Sequence, residues 1–437
     1  MVSALDSAIT GSTYADPEIA VLFSDEAEIQ AYLQFEIALA KAQEALGIIP
    51  KDTAQTIADC MENTAIDPGS LAARYQQDGI AIPGLVAALR EQLPAEVASY
   101  LHHGVTSHDV IDSGLVLRLK LVCNLLLNKN STLTGKLKTL ADEHRNTLTI
   151  ARTRNQNAAP TVFGLKVVNW LEPLLRQQDR LSRLLPNLLR LQLGGSVGTL
   201  SALGPKANEL CTAMAEELDL SPSNSPWHVQ RDNIVEFGNW LSTTAGLIGK
   251  MAQNMLLLTQ SEVGELRFNE GGKSSTLPNK TNPVLPEILV ALASYCQSLS
   301  NVLNQTLLAN HERDGVSMAT ENLTLAPLAC AAGASLSLAS QAIDSVEVKA
   351  AAMQANIALD NGRILAEAAT FELSKSMERA EAANLVAQAC AASINNETNM
   401  IDELSSLTSA DIDWQALKEP ANALGMAEQI INKVLNE

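Results

Sequence analysis

An all-α fold is predicted by three features of this 437-residue chain. Apolar residues recur with a helical period through most of its length. Ala and Leu are abundant while aromatic residues are only 3%, a composition that packs helices closely through small side chains. No run of β-branched alternation is long enough for a sheet.

The elements follow in order. Residues 25–47 (DEAEIQAYLQFEIALAKAQEALG) place Ile29, Tyr32, Leu33, Ile37 and Ala40 on one stripe, and Gly47 is a helix stop. A long helix is expected from about Ser113 to Leu148. A second runs from Val162 to Leu193, with Pro173 and Pro186 as bending points. A third spans about Ile234 to Val263, and a fourth about Leu285 to Leu308. The uncharged stretch Leu323 to Ile343 is mostly Ala, Ser, Gly and Leu and contains Pro327. A membrane span would be richer in large apolar residues, so a packed helix at the centre of a bundle fits better. Helices this long indicate a bundle, and apolar positions on more than one face of them predict a homo-oligomer. Composition shifts divide the chain into an N-terminal helical domain (1–111), a central long-helix domain (112–346) and a C-terminal helical domain (347–437).

Lys plus Arg is 30 against 49 Asp plus Glu, a formal net charge of −19. Nucleic acid and anionic membrane are therefore poor partners, and an anionic substrate would need positive charge concentrated locally. The six cysteines (60, 123, 211, 296, 330 and 390) form no CxxC pair, so neither a zinc site nor a disulfide framework is indicated. Reduced thiols and an N-terminus without a basic start or apolar run point to a cytoplasmic protein.

Five polar stretches interrupt the helices. His102–Asp109 holds three of the six histidines and has Gly104 as a hinge. Hydroxyls and free N–H groups at a helix start form an anion site, although Thr106 or Ser107 could equally be a plain N-cap. Ala151–Asn157 is a basic break between two helices, either a solvated linker or a ligand contact. Trp227–Asp232 reads as an interhelical turn or a site edge. His311–Asp314, followed by Glu321, reads as a surface ion-pair cluster or a site edge. Gly271–Pro283 (GGKSSTLPNKTNP) collects hydroxyls, amides and ammonium groups with no carboxylate.

Taken in order, TSHDVIDSGLVLRL, ARTRNQNAAPTVFGLK, QLGGSVGTLSALG, PWHVQRDNIVEF, SSTLPNKTNP and HERD resemble the signature blocks of the fumarase/aspartase superfamily. Within it the chain looks most like the 3-carboxy-cis,cis-muconate cycloisomerase branch. The resemblance implies a three-domain all-α fold whose central helices form the core of a homotetramer, with active sites shared between subunits. It implies a small polycarboxylate substrate and no metal or organic cofactor. Proton transfer next to a carboxylate needs a base or acid and strong charge stabilisation. By resemblance Ser274 is the catalytic acid or base, and Lys280 and Asn282 hold substrate carboxylate. Thr106 and Ser107 match carboxylate-binding positions. His102 matches a histidine near the substrate in the adenylosuccinate lyase branch and is taken as catalytic. Gln156 and Arg231 match positions lining the family's sites.

Five positions depart from the cycloisomerase pattern: Lys273 precedes the serines, Asn279 and Thr281 replace a His and an Arg, Asn322 stands where Trp is usual, and Arg154 stands where a bulky apolar residue is expected. Arg154 occupies the place of a histidine found in fumarase and adenylosuccinate lyase, where it could bind an extra carboxylate. The alternative activity is a C–N lyase releasing fumarate from an N-substituted aspartate or succinyl compound.

Overall fold

The computed structural model describes residues 3–269, 272, 273, 277 and 280–436. Five long helices dominate it: Ser107–Glu143, Phe163–Leu188, Asp232–Leu258, Val284–Leu303 and Gly315–Ser345. The all-α expectation holds.

The chain forms two compact units, each discontinuous in sequence. Unit 1 comprises residues 1–130, 177–246 and 292–337, and unit 2 comprises 131–176, 247–291 and 338–437. Each long helix contributes one end to each unit.

In unit 1 the Asp25–Ala45 helix is capped by Ser24, whose hydroxyl accepts the Ala27 N–H. Its expected stripe is present: Ile29, Tyr32, Leu33 and Ala40 are buried. Helices here approach on small residues. A Cβ built at Gly333 would lie 2.4 Å from Ile19 Cδ1, closer than any carbon–carbon contact permits. The Gly315–Ser345 helix is apolar and long enough to pass for a membrane span, yet 78% of its most apolar window is buried inside the fold, as expected of a core helix. Pro327 lies within it.

In unit 2 the sequence expectation needs correction at one point. The first long helix ends at Glu143 rather than near Leu148, and a β-hairpin follows: Leu148–Thr153 pairs antiparallel with Gln156–Val162. The two turn residues, Arg154 and Asn155, have φ of 50° and 64°. Both central residues at positive φ is the requirement of a two-residue hairpin turn whose twist matches the strands. Asn tolerates that conformation through its short polar side chain, and Arg154 is carried into it by the flanking ladder. Ile150 of this hairpin packs with Ile364, Leu373, Met400 and Leu404 in a core shared with the C-terminal helices. Two further short ladders occur, Leu266–Phe268 with Val346–Val348 and Gly272–Lys273 with Thr281–Asn282. The other long helices match their predicted cores, with ends shifted by a few residues. All six cysteines are free thiols.

Candidate active site

Unit 1 builds its polar constellation on the start of the Ser107–Glu143 helix. The chain enters through His102 at φ 61° and Gly104 at φ 78°. A Cβ at Gly104 would stand 2.5 Å from Leu203 Cδ2, so a close approach as well as the turn demands glycine there. The helix starts six residues earlier than predicted because Thr106 and Asp109 form a reciprocal cap. The Thr106 N–H donates to Asp109 Oδ2 at 3.0 Å, and the Asp109 N–H donates to the Thr106 carbonyl at 2.9 Å.

Asp109 does much more than cap. It is fully buried. Its Oδ1 accepts from Gly194 N at 2.8 Å, Gln192 Nε2 at 3.2 Å and His228 Nε2 at 2.9 Å, and its Oδ2 also accepts from Gly195 N at 2.9 Å. One carboxylate thus pins the helix start, the glycine turn after Leu193 and the Trp227–His228 turn. Sequence reasoning missed this role, although an Asp three residues after Thr106 was a readable capping signal. The hydroxyls of Thr106 and Ser107, both partly exposed, make no hydrogen bond among the described residues. They sit where the helix dipole and free N–H groups favour an anion.

His102 is held by Glu36, with Nδ1 at 2.5 Å from Oε1. Burial opposes charging of the ring, but the Glu36 carboxylate overrides it and the His102 pKa is raised.

Arg231 was expected to contact substrate. It does line a cavity of about 60 Å³, together with His108, Asp112 and Glu321. Its guanidinium, however, is committed to protein carboxylates: Nη1 donates to Asp112 Oδ1 at 3.0 Å, Nη2 to Glu321 Oε1 at 2.5 Å and Nε to Glu321 Oε2 at 3.1 Å. All three residues are buried. The Trp227 ring lies 5.0 Å from the guanidinium carbon. Arg231 therefore acts here as the cation of a buried ion triad rather than a free donor. Burial pushes the Asp112 carboxyl up to about 6 against the pull of Arg231. His108, beside it on the helix, is pushed down to about 4 by burial and by Arg313, so it is neutral near pH 7. Sequence analysis did not single out His108 as a site residue.

Unit 2 carries the remaining described candidates. Arg154 and Gln156 lie at the hairpin turn and are exposed. Gln156 Nε2 donates to the Asn155 carbonyl at 3.2 Å, and Arg154 has no side-chain partner among the described residues. Two residues earlier the situation reverses. Arg152 makes a two-pronged ion pair with the fully buried Glu265, at 2.9 and 2.7 Å, and Glu265 also accepts from Thr149 at 3.2 Å and Asn356 at 2.9 Å. Burial opposes ionisation of Glu265, but Arg152 and Asn356 outweigh it and hold the carboxyl below its usual range. Lys280 is exposed, and Asn282 pairs with Gly272 in the ladder that closes the basic loop. Ser274 lies outside the described residues.

No group of three or more metal-ligating side chains occurs among the described residues. The partly exposed hydroxyls of unit 1 and, separately, the exposed amide and cations of unit 2 are groups that can bind a carboxylate and stabilise developing negative charge.

The sequence profile of a family described as lyase matches residues 12–297. A 3-carboxy-cis,cis-muconate cycloisomerase of Pseudomonas aeruginosa is 36% identical over 427 residues, covering 95% of this chain and 93% of that protein. The structure of the 3-carboxy-cis,cis-muconate lactonizing enzyme of Pseudomonas putida superposes with a TM-score of 0.90 at 32% identity, covering 97% of each chain. That of a fumarate lyase from Mesorhizobium sp. BNC1 gives 0.91 at 28%, covering 97% of this chain and 98% of the other.

Proposed function

The chain belongs to the lyase family and has its fumarase/aspartase fold, and we propose that it is a cycloisomerase acting on 3-carboxy-cis,cis-muconate. The near-full-length similarity to enzymes of that name carries this reading. The free groups at the helix start and at the hairpin turn support it, because the substrate bears three carboxylates.

In the reaction one substrate carboxylate adds across a double bond of the same molecule. A C–O bond forms, a proton is delivered to the neighbouring carbon and a γ-lactone results, with no external nucleophile. The enzyme contributes orientation and charge stabilisation. Ser274 is assigned as the proton donor, and as the base in reverse. Thr106, Ser107, Gln156, Lys280 and Asn282 are assigned to the carboxylates. Arg154, the cation at the hairpin turn, takes the carboxylate that distinguishes this substrate. His102, kept charged more easily by Glu36, borders the helix-start anion site. Asp109, Arg231 and Arg152 hold these groups in place.

A homotetramer with shared active sites is part of the proposal. Large apolar side chains stand exposed in unit 1, among them Val316 (74%) and Leu323 (76%) on the Gly315–Ser345 helix and Leu308 (79%) in the short turn of helix after Leu303, as an interface between copies requires. The second reading, a C–N lyase, draws on the likeness to a fumarate lyase and on Arg154 as a cation able to take a different substituent.

The test is ultraviolet absorbance of 3-carboxy-cis,cis-muconate mixed with purified protein. Loss of the conjugated diene signal at a rate proportional to enzyme is expected. No change at high enzyme concentration overturns the cycloisomerase reading, and release of fumarate from N-substituted aspartates would then establish the second.

A further inference from the structure

Unit 2 contains a second concentration of positive charge, two lysines of which have no part in the proposed reaction. A cavity of about 610 Å³ opens between the early turns of the Phe163–Leu188 helix and the late turns of the Asp232–Leu258 helix. Its volume falls in the range of small-molecule sites. Arg152, Lys166 and Lys250 line it, with the amides of Asn155, Asn254 and Gln260, and no Asp or Glu is among the described lining residues. In a chain of net charge −19 that local balance is unusual.

We propose that this cavity binds a small polyanion, either an oxyanion such as phosphate or a compact polycarboxylate.

The bonding of the lining groups carries the assignment. Arg152 is neutralised by Glu265, but neither lysine forms an ion pair among the described residues. Lys166 Nζ donates to the Ile150 carbonyl at 3.0 Å, and Lys250 Nζ to the Asn169 carbonyl at 3.4 Å. An ammonium group has three donors, so each lysine keeps capacity to spare. The orientation of Asn254 is set by Trp170, whose Nε1 donates to Asn254 Oδ1 at 3.1 Å. That leaves the Asn254 NH2 group as a donor with no acceptor among the described residues. Burial lowers the pKa of Lys250, and it lowers that of Lys166 even though the Glu265 carboxylate pulls the other way, the expected response of ammonium groups that have lost more hydration than counter-charge replaces. A bound anion would supply the missing counter-charge.

This inference is independent of the reaction proposed above, because Lys250 and Lys166 have no part in it. Titration calorimetry on the full chain at low salt, with inorganic phosphate and then citrate as probes, tests it. One anion should bind per chain at this cavity, apart from any citrate taken by the candidate active site. Lys250→Gln should weaken binding at least about tenfold, the loss of one charge-assisted hydrogen bond, while Lys250→Arg should retain it. Lys280→Gln, on the basic loop, should leave it unchanged. Absence of binding overturns the proposal, as does equal affinity in Lys250→Gln. If Lys280→Gln weakens binding as much as Lys250→Gln, the anion belongs to the candidate active site and the proposal falls. If no anion binds and Lys250→Gln instead lowers the oligomeric state, the lysines meet acidic side chains of a second copy, which also overturns it. Circular dichroism of each variant separates loss of binding from loss of fold. A failed diene assay would leave every one of these outcomes readable.

Discussion

Asp109 and Arg154 belong to two blocks of the same kind in sequence, each a short polar stretch next to a long helix, and the fold treats them in opposite ways. Asp109 is fully buried and accepts hydrogen bonds from three backbone N–H groups and two side chains. Arg154 sits at a hairpin turn, exposed, with no side-chain partner among the described residues. Each block holds both kinds of group. Thr106 and Ser107 are open beside Asp109, and Arg152 is locked to Glu265 two residues before Arg154. A functional block is thus part scaffold and part ligand surface. The distinction lies in whether a charged group is already satisfied by the protein.

Four substitutions test that division, beginning with the largest expected effect. Ser274→Ala removes the assigned proton donor and should lower kcat roughly 10²–10⁴-fold with little change in melting temperature. A variant that keeps the parent rate would remove serine from the mechanism. Asp109→Ala should act on the scaffold side. Leaving several buried donors unpaired costs roughly 3–5 kcal/mol, measurable by urea unfolding, and activity should fall with it. A change under about 0.5 kcal/mol, the range of ordinary surface substitutions, would mean that Asp109 is not the pin described here.

His108→Gln gives a third, smaller effect with a defined sign. The folded ring titrates at about 4 instead of the ordinary 6.5. Between those values the unfolded chain binds more protons, so this residue's stability contribution is complete above pH 6.5 and is lost as pH falls through 4. The variant should lose roughly 2 kcal/mol less than the parent between pH 7 and pH 4, allowing for partial screening. Asp112, raised to about 6, and His102, raised by Glu36, work in the opposite direction. The difference between variant and parent is therefore the quantity to measure, and identical pH–stability curves would contradict the assignment. Arg154→Ala should have the smallest effect on the fold. Stability should stay within about 0.5 kcal/mol, while KM rises about tenfold, the loss of one charge-assisted contact. A large drop in melting temperature with unchanged KM would move Arg154 to the scaffold side.

Much of this architecture was legible in the chain. The helical periods located the cores of all five long helices, and the uncharged stretch from Leu323 was read correctly as a buried helix. The hairpin at Leu148–Val162 was not legible, because seven- and six-residue strands of mixed Ala, Thr, Arg and Asn carry no clear alternation. Arg231 illustrates the limit at the site. Its place in PWHVQRD marked it as important, but the sequence held no sign that Asp112 and Glu321, 119 and 90 residues away, would claim its guanidinium.

The sequence by itself determined the helical class, the position of each long helix, the concentration of positive and hydroxyl groups at a few turns, and the family. Those properties follow from local periodicity and from short ordered motifs. Only the tertiary structure decided which polar groups are free. A charge is spent or available according to the neighbours that folding brings within about 3 Å of it, and those neighbours come from distant parts of the chain. The same long-range packing separated the unused lysines of the unit 2 cavity from the paired arginine beside them.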